Sequence, residues 1–176
     1  MKLHTAYIAL GSNLGNPYQN CITASEKIAA HKNISLISSS PWYKSKALTL
    51  DEIAQADYCN GVLSVQTRLG PTELLRELRE IEKEMGRLEK QKKWASRIID
   101  LDIILFDDLI FKTDELEIPH PEMHKRLFVL EPLCKLAPDA RHPVFGKTCQ
   151  HLLNDYSAAN PHENLVCWSE HTCHFC

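Results

Sequence analysis

Apolar and polar positions alternate in short blocks along this chain, and two of the blocks are unambiguous. The first is Arg97-Ile98-Ile99-Asp100-Leu101-Asp102-Ile103-Ile104-Leu105-Phe106, a near-continuous apolar run that predicts a buried strand. Strand side chains alternate with period two, so Ile99, Leu101, Ile103 and Leu105 point one way. Asp100 and Asp102 point the other way, with Ile98, Ile104 and Phe106. The second block predicts a helix capped by Thr72, with Pro71 and Glu73 in its first turn. Leu74, Leu78, Ile81, Met85 and Leu88 fall in a narrow arc at 100° per residue, and charges cover the rest. Gly86 weakens its last turns.

The remaining pattern fills in around these two. His4 to Leu10 reads as a strand, closed by the turn-rich Gly11-Ser12-Asn13-Leu14-Gly15-Asn16-Pro17. A helix is expected from about Tyr18 to Ala30, with Ile22, Ser25, Ile28 and Ala29 on one side. Strands are expected over Ile34 to Tyr43 and Tyr58 to Leu69. Between them Lys44 to Asp57 has no clean period and reads as a loop, long enough to be functional. Asp107-Asp108 marks a turn, and Leu109-Ile110-Phe111 a short strand. A helix follows Pro119-His120-Pro121, from about Lys125 to Leu136, with a short one near Thr148 to Tyr156. The order β-α-β-β-α-β predicts an α+β fold of the ferredoxin-like split β-α-β kind. Its antiparallel sheet carries two helices on one face and is followed by a helical C-terminal extension. No repeat or linker interrupts the chain, so one domain is expected over 1–176, with a core of about 5–156 and an irregular Cys/His-rich tail at 157–176.

Composition narrows the function. The chain has 176 residues, net charge −3 and a pI near 6.3, which gives no general attraction to nucleic acid or to an anionic membrane. No segment approaches the roughly 20 apolar residues of a membrane span, and the opening has no secretion signal. Seven cysteines, an odd number, fit reduced thiols in a cytoplasm.

Two carboxylates in an apolar strand are costly unless a positive charge offsets them. Asp100 and Asp102 lie about 6.6 Å apart at Cα on an extended strand, within reach of one divalent cation or a close pair. Arg97 stands at the mouth of that strand, suited to bidentate phosphate contacts. Arg87, Lys90, Lys92 and Lys93 add charge nearby, or form a solvated basic face. The loop Gly11 to Gly15 admits two readings, an amide cradle for an anion or a plain strand-to-helix turn. No G-x-x-x-x-G-K-[ST], G-x-G-x-x-G or G-x-S-x-G motif is present. Tyr58, Asn60, Trp94 and Phe128 suggest a flat heterocycle held by stacking and by hydrogen bonds to its edge. His120 and His124, and the terminal Cys173-His174-Phe175-Cys176, are weak metal patterns without a second half.

The run from Lys93 to Ile104 closely resembles the signature of the 6-hydroxymethyl-7,8-dihydropterin pyrophosphokinase family. The resemblance continues in Tyr7 to Gly15, in Asp57-Tyr58-Cys59-Asn60, in Glu82 with Gly86-Arg87, in Pro119-His120 and in Arg126-Leu127-Phe128. It implies transfer of pyrophosphate from ATP to the hydroxymethyl oxygen of the pterin, releasing AMP. Asp100 and Asp102 would then hold two Mg²⁺ ions, and Arg87 and Arg97 would stabilise the transferring group. Trp94, Arg97, Ile103, His120 and Arg126 would bind ATP. Ser45, Leu48, Tyr58, Asn60, Trp94 and Phe128 would bind the pterin. The resemblance further implies small-molecule partners, a monomer, and docking onto other folate-pathway enzymes.

This chain departs from the family pattern at Glu89, Glu115, Glu117 and Pro121, where acids should weaken the hold on ATP. Two rival readings remain: a metal-dependent phosphohydrolase or nuclease using the same acids, and a non-catalytic pterin- or nucleotide-binding module.

Overall fold

The computed structural model describes residues 2–46, 56–87 and 97–168 of the chain. Leu48, Leu88, Glu89, Lys90, Lys92, Lys93 and Trp94 lie outside the described residues, as does the Cys173 to Cys176 motif.

The elements follow the expected order. They are β1 (His4–Ser12), α1 (Pro17–Ala29), β2 (Ile34–Ser39), β3 (Tyr43–Ser45), β4 (Tyr58–Thr67), α2 (Pro71–Glu84) and β5 (Asp100–Phe106). A small hairpin follows, β6 (Phe111–Lys112) with β7 (Glu117–Ile118), and then a 3₁₀ turn at Met123–Lys125. The chain goes on through α3 (Leu127–Leu136), α4 (Cys149–Ala159) and β8 (Val166–Cys167). The main sheet is antiparallel throughout and runs β5-β1-β4-β3-β8, with β2 also on β4. This is the split β-α-β arrangement.

Helices cover both faces of the sheet. On one face α1 and α2 bury Ile28, Leu74 and Leu78 against Ile8, Leu63 and Ile103. On the other, α3 and α4 bring Val129, Leu133 and Cys149 onto Val62, Ile104 and Leu105. Strand β4 is therefore buried along almost its whole length, as a central strand covered on both faces must be. Helices were expected on one face only; α3 and α4 also cover the second, leaving just the part beside α3 open.

Several boundaries differ from the sequence reading for identifiable reasons. Strand β1 runs on through Gly11 and Ser12, because both pair with β4, opposite Asn60 and Cys59. On α1 the buried residues are Cys21, Ala24, Ser25 and Ile28, so the inward face is turned from the predicted one. Asn16 caps that helix, accepting the Gln19 amide at 3.2 Å. The strand expected over Ile34 to Tyr43 is two strands, broken at Ser40-Pro41-Trp42. Ser40 still bridges the break, its amide donating to the Val62 carbonyl and its hydroxyl accepting the Val62 amide, both at 2.9 Å.

At α2, Glu73 rather than Thr72 supplies the side-chain cap, accepting the Gly70 amide at 2.8 Å. The helix ends in a Schellman-type turn: Gly86, at φ +93°, donates to Lys83, and Arg87 donates to the Glu82 carbonyl. Strand β8 was not foreseen; it draws part of the expected irregular tail into the sheet beside β3.

Strand β5 carries a bulge. Tyr7 pairs with Leu105 but Ile8 pairs with Ile103, so Ile104 is an extra residue. Alternation therefore resets, putting Leu105 with Ile104 on the α3 face and Phe106 on the α1/α2 face. Both assignments reverse the simple period-two reading, while those of Asp100 and Asp102 stand.

Candidate active site

A cavity of about 450 Å³ opens on the sheet face that carries Asp100 and Asp102. Its floor is the paired ends of β1, β4 and β5, where Ala9 lies opposite Asp102 and Gly11 opposite both Asp100 and Asn60. The segment from His120 to Val129 forms one wall, tied to β5 by the His120 amide donating to the Ile104 carbonyl at 2.9 Å. Ser45 at the end of β3 and Arg97 just before β5 complete the rim.

Positive charge converges on Asp100. Arg87 Nη1 donates to Asp100 Oδ1 at 2.6 Å, and Arg97 Nη1 donates to Asp100 Oδ2 at 2.5 Å. The same Arg87 nitrogen also donates to Glu82, a carboxylate only 4% exposed on the last turn of α2. Glu82 Oε1 in turn accepts the Leu101 amide at 2.7 Å, between the two aspartates. Burial pushes the Glu82 carboxyl up to about 7, against the pull of Arg87 and of the Leu101 amide. Burial, followed by the neighbouring Asp100 charge, pushes Asp102 up to about 6, although Arg126, Arg87 and Arg97 pull it down. Buried Asp102, held at such cost, forms with Asp100 on the same face a hard-oxygen donor set suited to a divalent cation. The residues present fit such an ion.

The other side of the cavity is aromatic and amide-lined. Asn60 is buried, and its Nδ2 donates to Ser45 Oγ at 2.8 Å. Gly11 faces the Asn60 amide, and a Cβ there would make ordinary contact with Oδ1 at 3.4 Å. Tyr58 enters from the first position of β4 and Phe128 from the first turn of α3, with the Arg126 guanidinium 5.9 Å from the Phe128 ring centre. Burial, and then the positive charge of Arg126, keep His120 below the usual imidazole range. His120 Nδ1 accepts the Glu122 amide at 3.1 Å.

Of the residues singled out from sequence, Ser45, Tyr58, Asn60, Arg97, Asp100, Asp102, His120, Arg126 and Phe128 all line this one cavity. Arg87 stands behind it on Asp100. Ile103 does not reach it. Its side chain is buried against the α1/α2 layer, because it sits one residue out of phase with the aspartates, and Ile104 lines the cavity instead. A contact between Ile103 and nucleotide would have to run through its main chain.

The family profile described as 7,8-dihydro-6-hydroxymethylpterin-pyrophosphokinase (HPPK) matches residues 7–138. The chain belongs to this family. It is 44% identical over 135 residues to the 2-amino-4-hydroxy-6-hydroxymethyldihydropteridine pyrophosphokinase of Haemophilus influenzae, covering 77% of this chain and 82% of that protein. It is 36% identical over 153 residues to the folic acid synthesis protein fol1 of Schizosaccharomyces pombe, covering 87% of this chain but 20% of that one. Among solved structures, the HPPK-DHPS protein of Plasmodium falciparum has the same fold, with a TM-score of 0.72 at 15% identity. That match covers 89% of this chain and 43% of the other.

Within this pyrophosphokinase scaffold the two histidines of the weak zinc pattern part ways. His120 lines the cavity, whereas His124 lies outside that lining and packs its ring edge-on against Phe145 at 4.9 Å. Among the described residues, two of the acids that depart from the family pattern have a cation: Glu115 pairs with Arg79, and Glu117 with Lys112 at 2.8 Å. Sequence reasoning noted Glu82 and Asn13 but assigned a role to neither. The signal for Glu82 was a carboxylate beside the inward arc of an amphipathic helix, where an unpaired charge would be expensive.

Proposed function

We propose that the chain transfers pyrophosphate from MgATP to the hydroxymethyl group of 6-hydroxymethyl-7,8-dihydropterin in folate biosynthesis, giving the pterin diphosphate and AMP. The observation that carries this reading is convergence. Residues from β1, β3, β4, β5 and the 120–129 segment, with Arg87 after α2 and Arg97 before β5, bring two carboxylates, three arginines, a buried amide and two aromatic rings to one cavity and its back wall. Family membership supports ATP as the co-substrate.

In this reading the hydroxymethyl oxygen attacks the β-phosphorus of ATP, the bond from that phosphorus to the α–β bridging oxygen breaks, and AMP departs. The hydroxyl proton is released, and no side chain is assigned as its base. Such a transfer needs in-line positioning and charge neutralisation rather than an enzyme nucleophile. Asp100 and Asp102 would hold two Mg²⁺ ions, which when bound supply Lewis-acid neutralisation of the phosphate oxygens. Arg97 would stabilise the transferring group from the cavity and Arg87 from behind it, through Asp100, while His120 and Arg126 contact ATP. Phe128 and Tyr58 stack on the pterin, Asn60 reads its edge and Ser45 orients the Asn60 amide. Trp94 and Leu48, outside the described residues, are assigned to nucleotide and pterin by resemblance. The whole chain, 1–176, is read as one pyrophosphokinase domain, monomeric and cytoplasmic, able to dock onto other folate-pathway enzymes. No helix among the described residues is long and apolar enough to cross a membrane.

The test is a coupled assay for AMP release from MgATP and 6-hydroxymethyl-7,8-dihydropterin, comparing wild type with Asp102→Ala. Pterin-dependent AMP that disappears in the variant is the expected result. Inorganic phosphate without pterin diphosphate would favour a phosphohydrolase, and binding of both substrates without turnover would favour a binding module.

A further inference from the structure

The loop Gly11 to Gly15 follows a strand and precedes a helix, which on sequence alone admits an anion cradle. Its geometry shows a different use. The Asn13 amide donates to the Arg97 carbonyl at 3.1 Å, and Asn13 Oδ1 accepts the Arg97 amide at 2.8 Å. Both main-chain polar groups of Arg97 are thus held by one residue, itself 2% exposed. Asn13 is fixed in its turn. Asn20, in the second turn of α1, donates through Nδ2 to Ser12 Oγ at 3.1 Å and to the Leu14 carbonyl at 2.8 Å. A rigid path therefore runs from α1 through the loop to the Arg97 backbone, and from the Arg97 guanidinium to Asp100.

We propose that Asn13 is a positioning residue for Arg97, setting where its guanidinium meets the transferring phosphoryl group. The inference rests on the pyrophosphoryl-transfer reading above. Arg97 stands immediately after residues 88–96 and has a long side chain with many rotamers. Its reach toward substrate therefore depends on where its own backbone is anchored. The side-chain bond from Asn13 is well suited to this, because it can be removed while the main-chain bond to the Arg97 carbonyl stays.

The test is steady-state kinetics of pterin-dependent AMP formation for Asn13→Ala, Asn13→Asp, Arg97→Ala and the double variant Asn13→Ala/Arg97→Ala. Asn13→Ala should lower kcat by about 10- to 100-fold with KM for MgATP changed less than about threefold, as loss of orientation in the transition state requires. Asn13→Asp keeps an oxygen for the Arg97 amide and should recover most of that loss. The double variant should be no slower than Arg97→Ala by more than about twofold, since residues acting as a unit are not additive. An Asn13→Ala kcat near that of wild type, or losses that multiply in the double variant, overturns the positioning role alone. A wild type that forms no pterin-dependent AMP overturns the reading of the reaction, and the positioning role with it.

Discussion

The Glu82 carboxylate accepts the amide of Leu101 at 2.7 Å, binding the end of helix α2 to the strand residue that separates Asp100 from Asp102. The same oxygen accepts from Arg87, whose other partner is Asp100. One buried side chain thus ties α2 to the strand between the two acids and sets the place of one arginine. Removing it in Glu82→Ala leaves a buried amide without an acceptor and a half-buried guanidinium with one partner fewer, and should cost about 2–3 kcal/mol. Glu82→Gln keeps an acceptor and removes a buried charge, so its cost should stay below about 1 kcal/mol. Urea denaturation of the two variants checks this contrast; equal losses would mean that the Leu101 bond contributes little.

Gly61 lies against the Trp42 indole, where a Cβ would come within 2.5 Å of ring carbon Cε3 and 3.3 Å of Ser40 Oγ. Gly61 is on the central strand opposite Leu10, so the backbone is held and the half-buried ring must shift. Gly61→Ala should destabilise the fold by about 1–3 kcal/mol, the range for an overpacked site. The ring movement should appear as a change in tryptophan fluorescence of the folded protein, and a variant as stable as wild type would refute the clash.

Asp107 closes one end of the β1–β5 pair, tying the end of β5 to the start of β1. It accepts the Thr5 amide at 2.8 Å, His4 Nδ1 at 2.7 Å and Lys2 Nζ at 3.3 Å. Partial burial acts to raise its carboxyl, but these hydrogen bonds outweigh it and hold the group below the usual carboxylate range. A depressed folded-state pKa contributes stability that is fully present above the unfolded value of about 4. That contribution is lost as pH falls through the folded value. Asp107 has φ +45°, which asparagine tolerates, so Asp107→Asn tests charge rather than backbone. The variant should be less stable at pH 7 by on the order of 1 kcal/mol, and the gap should close as pH falls from about 5 toward 2. A gap unchanged over that range would show that the charge is not what matters.

Phe128 presents its ring to the cavity from the start of α3. If it stacks on the pterin, Phe128→Ala should raise the pterin KM by about tenfold and leave the MgATP KM nearly unchanged, consistent with the worth of one aromatic pair. A selective rise in the MgATP KM would instead place the ring against the nucleotide.

Periodicity and local chemistry were enough to read the element order, the amphipathic face of α2 and the placing of Asp100 and Asp102 on one side of β5. All of these depend on residues close in sequence. The helix arc needs only 3.6-residue spacing, and the shared face of two acids needs only alternation over three residues. Alternation failed one turn of the strand later, at Ile104, because the extra residue of a bulge is set by how β1 and β5 pair, not by β5 itself. The break at Ser40-Pro41-Trp42 and the recruitment of β8 likewise depend on a partner strand.

The site shows the same division. Sequence identified the residue types, and the family resemblance ordered them. Tertiary structure decided that Glu82, from α2, holds the strand that bears the acids, and that Asn13, from the loop before α1, holds Arg97 ahead of it. It also decided that Ile104 rather than Ile103 faces the cavity. The reason is physical: a hydrogen bond between residues 84 apart leaves no period or spacing in the chain, and exists only once the fold has brought its two ends together.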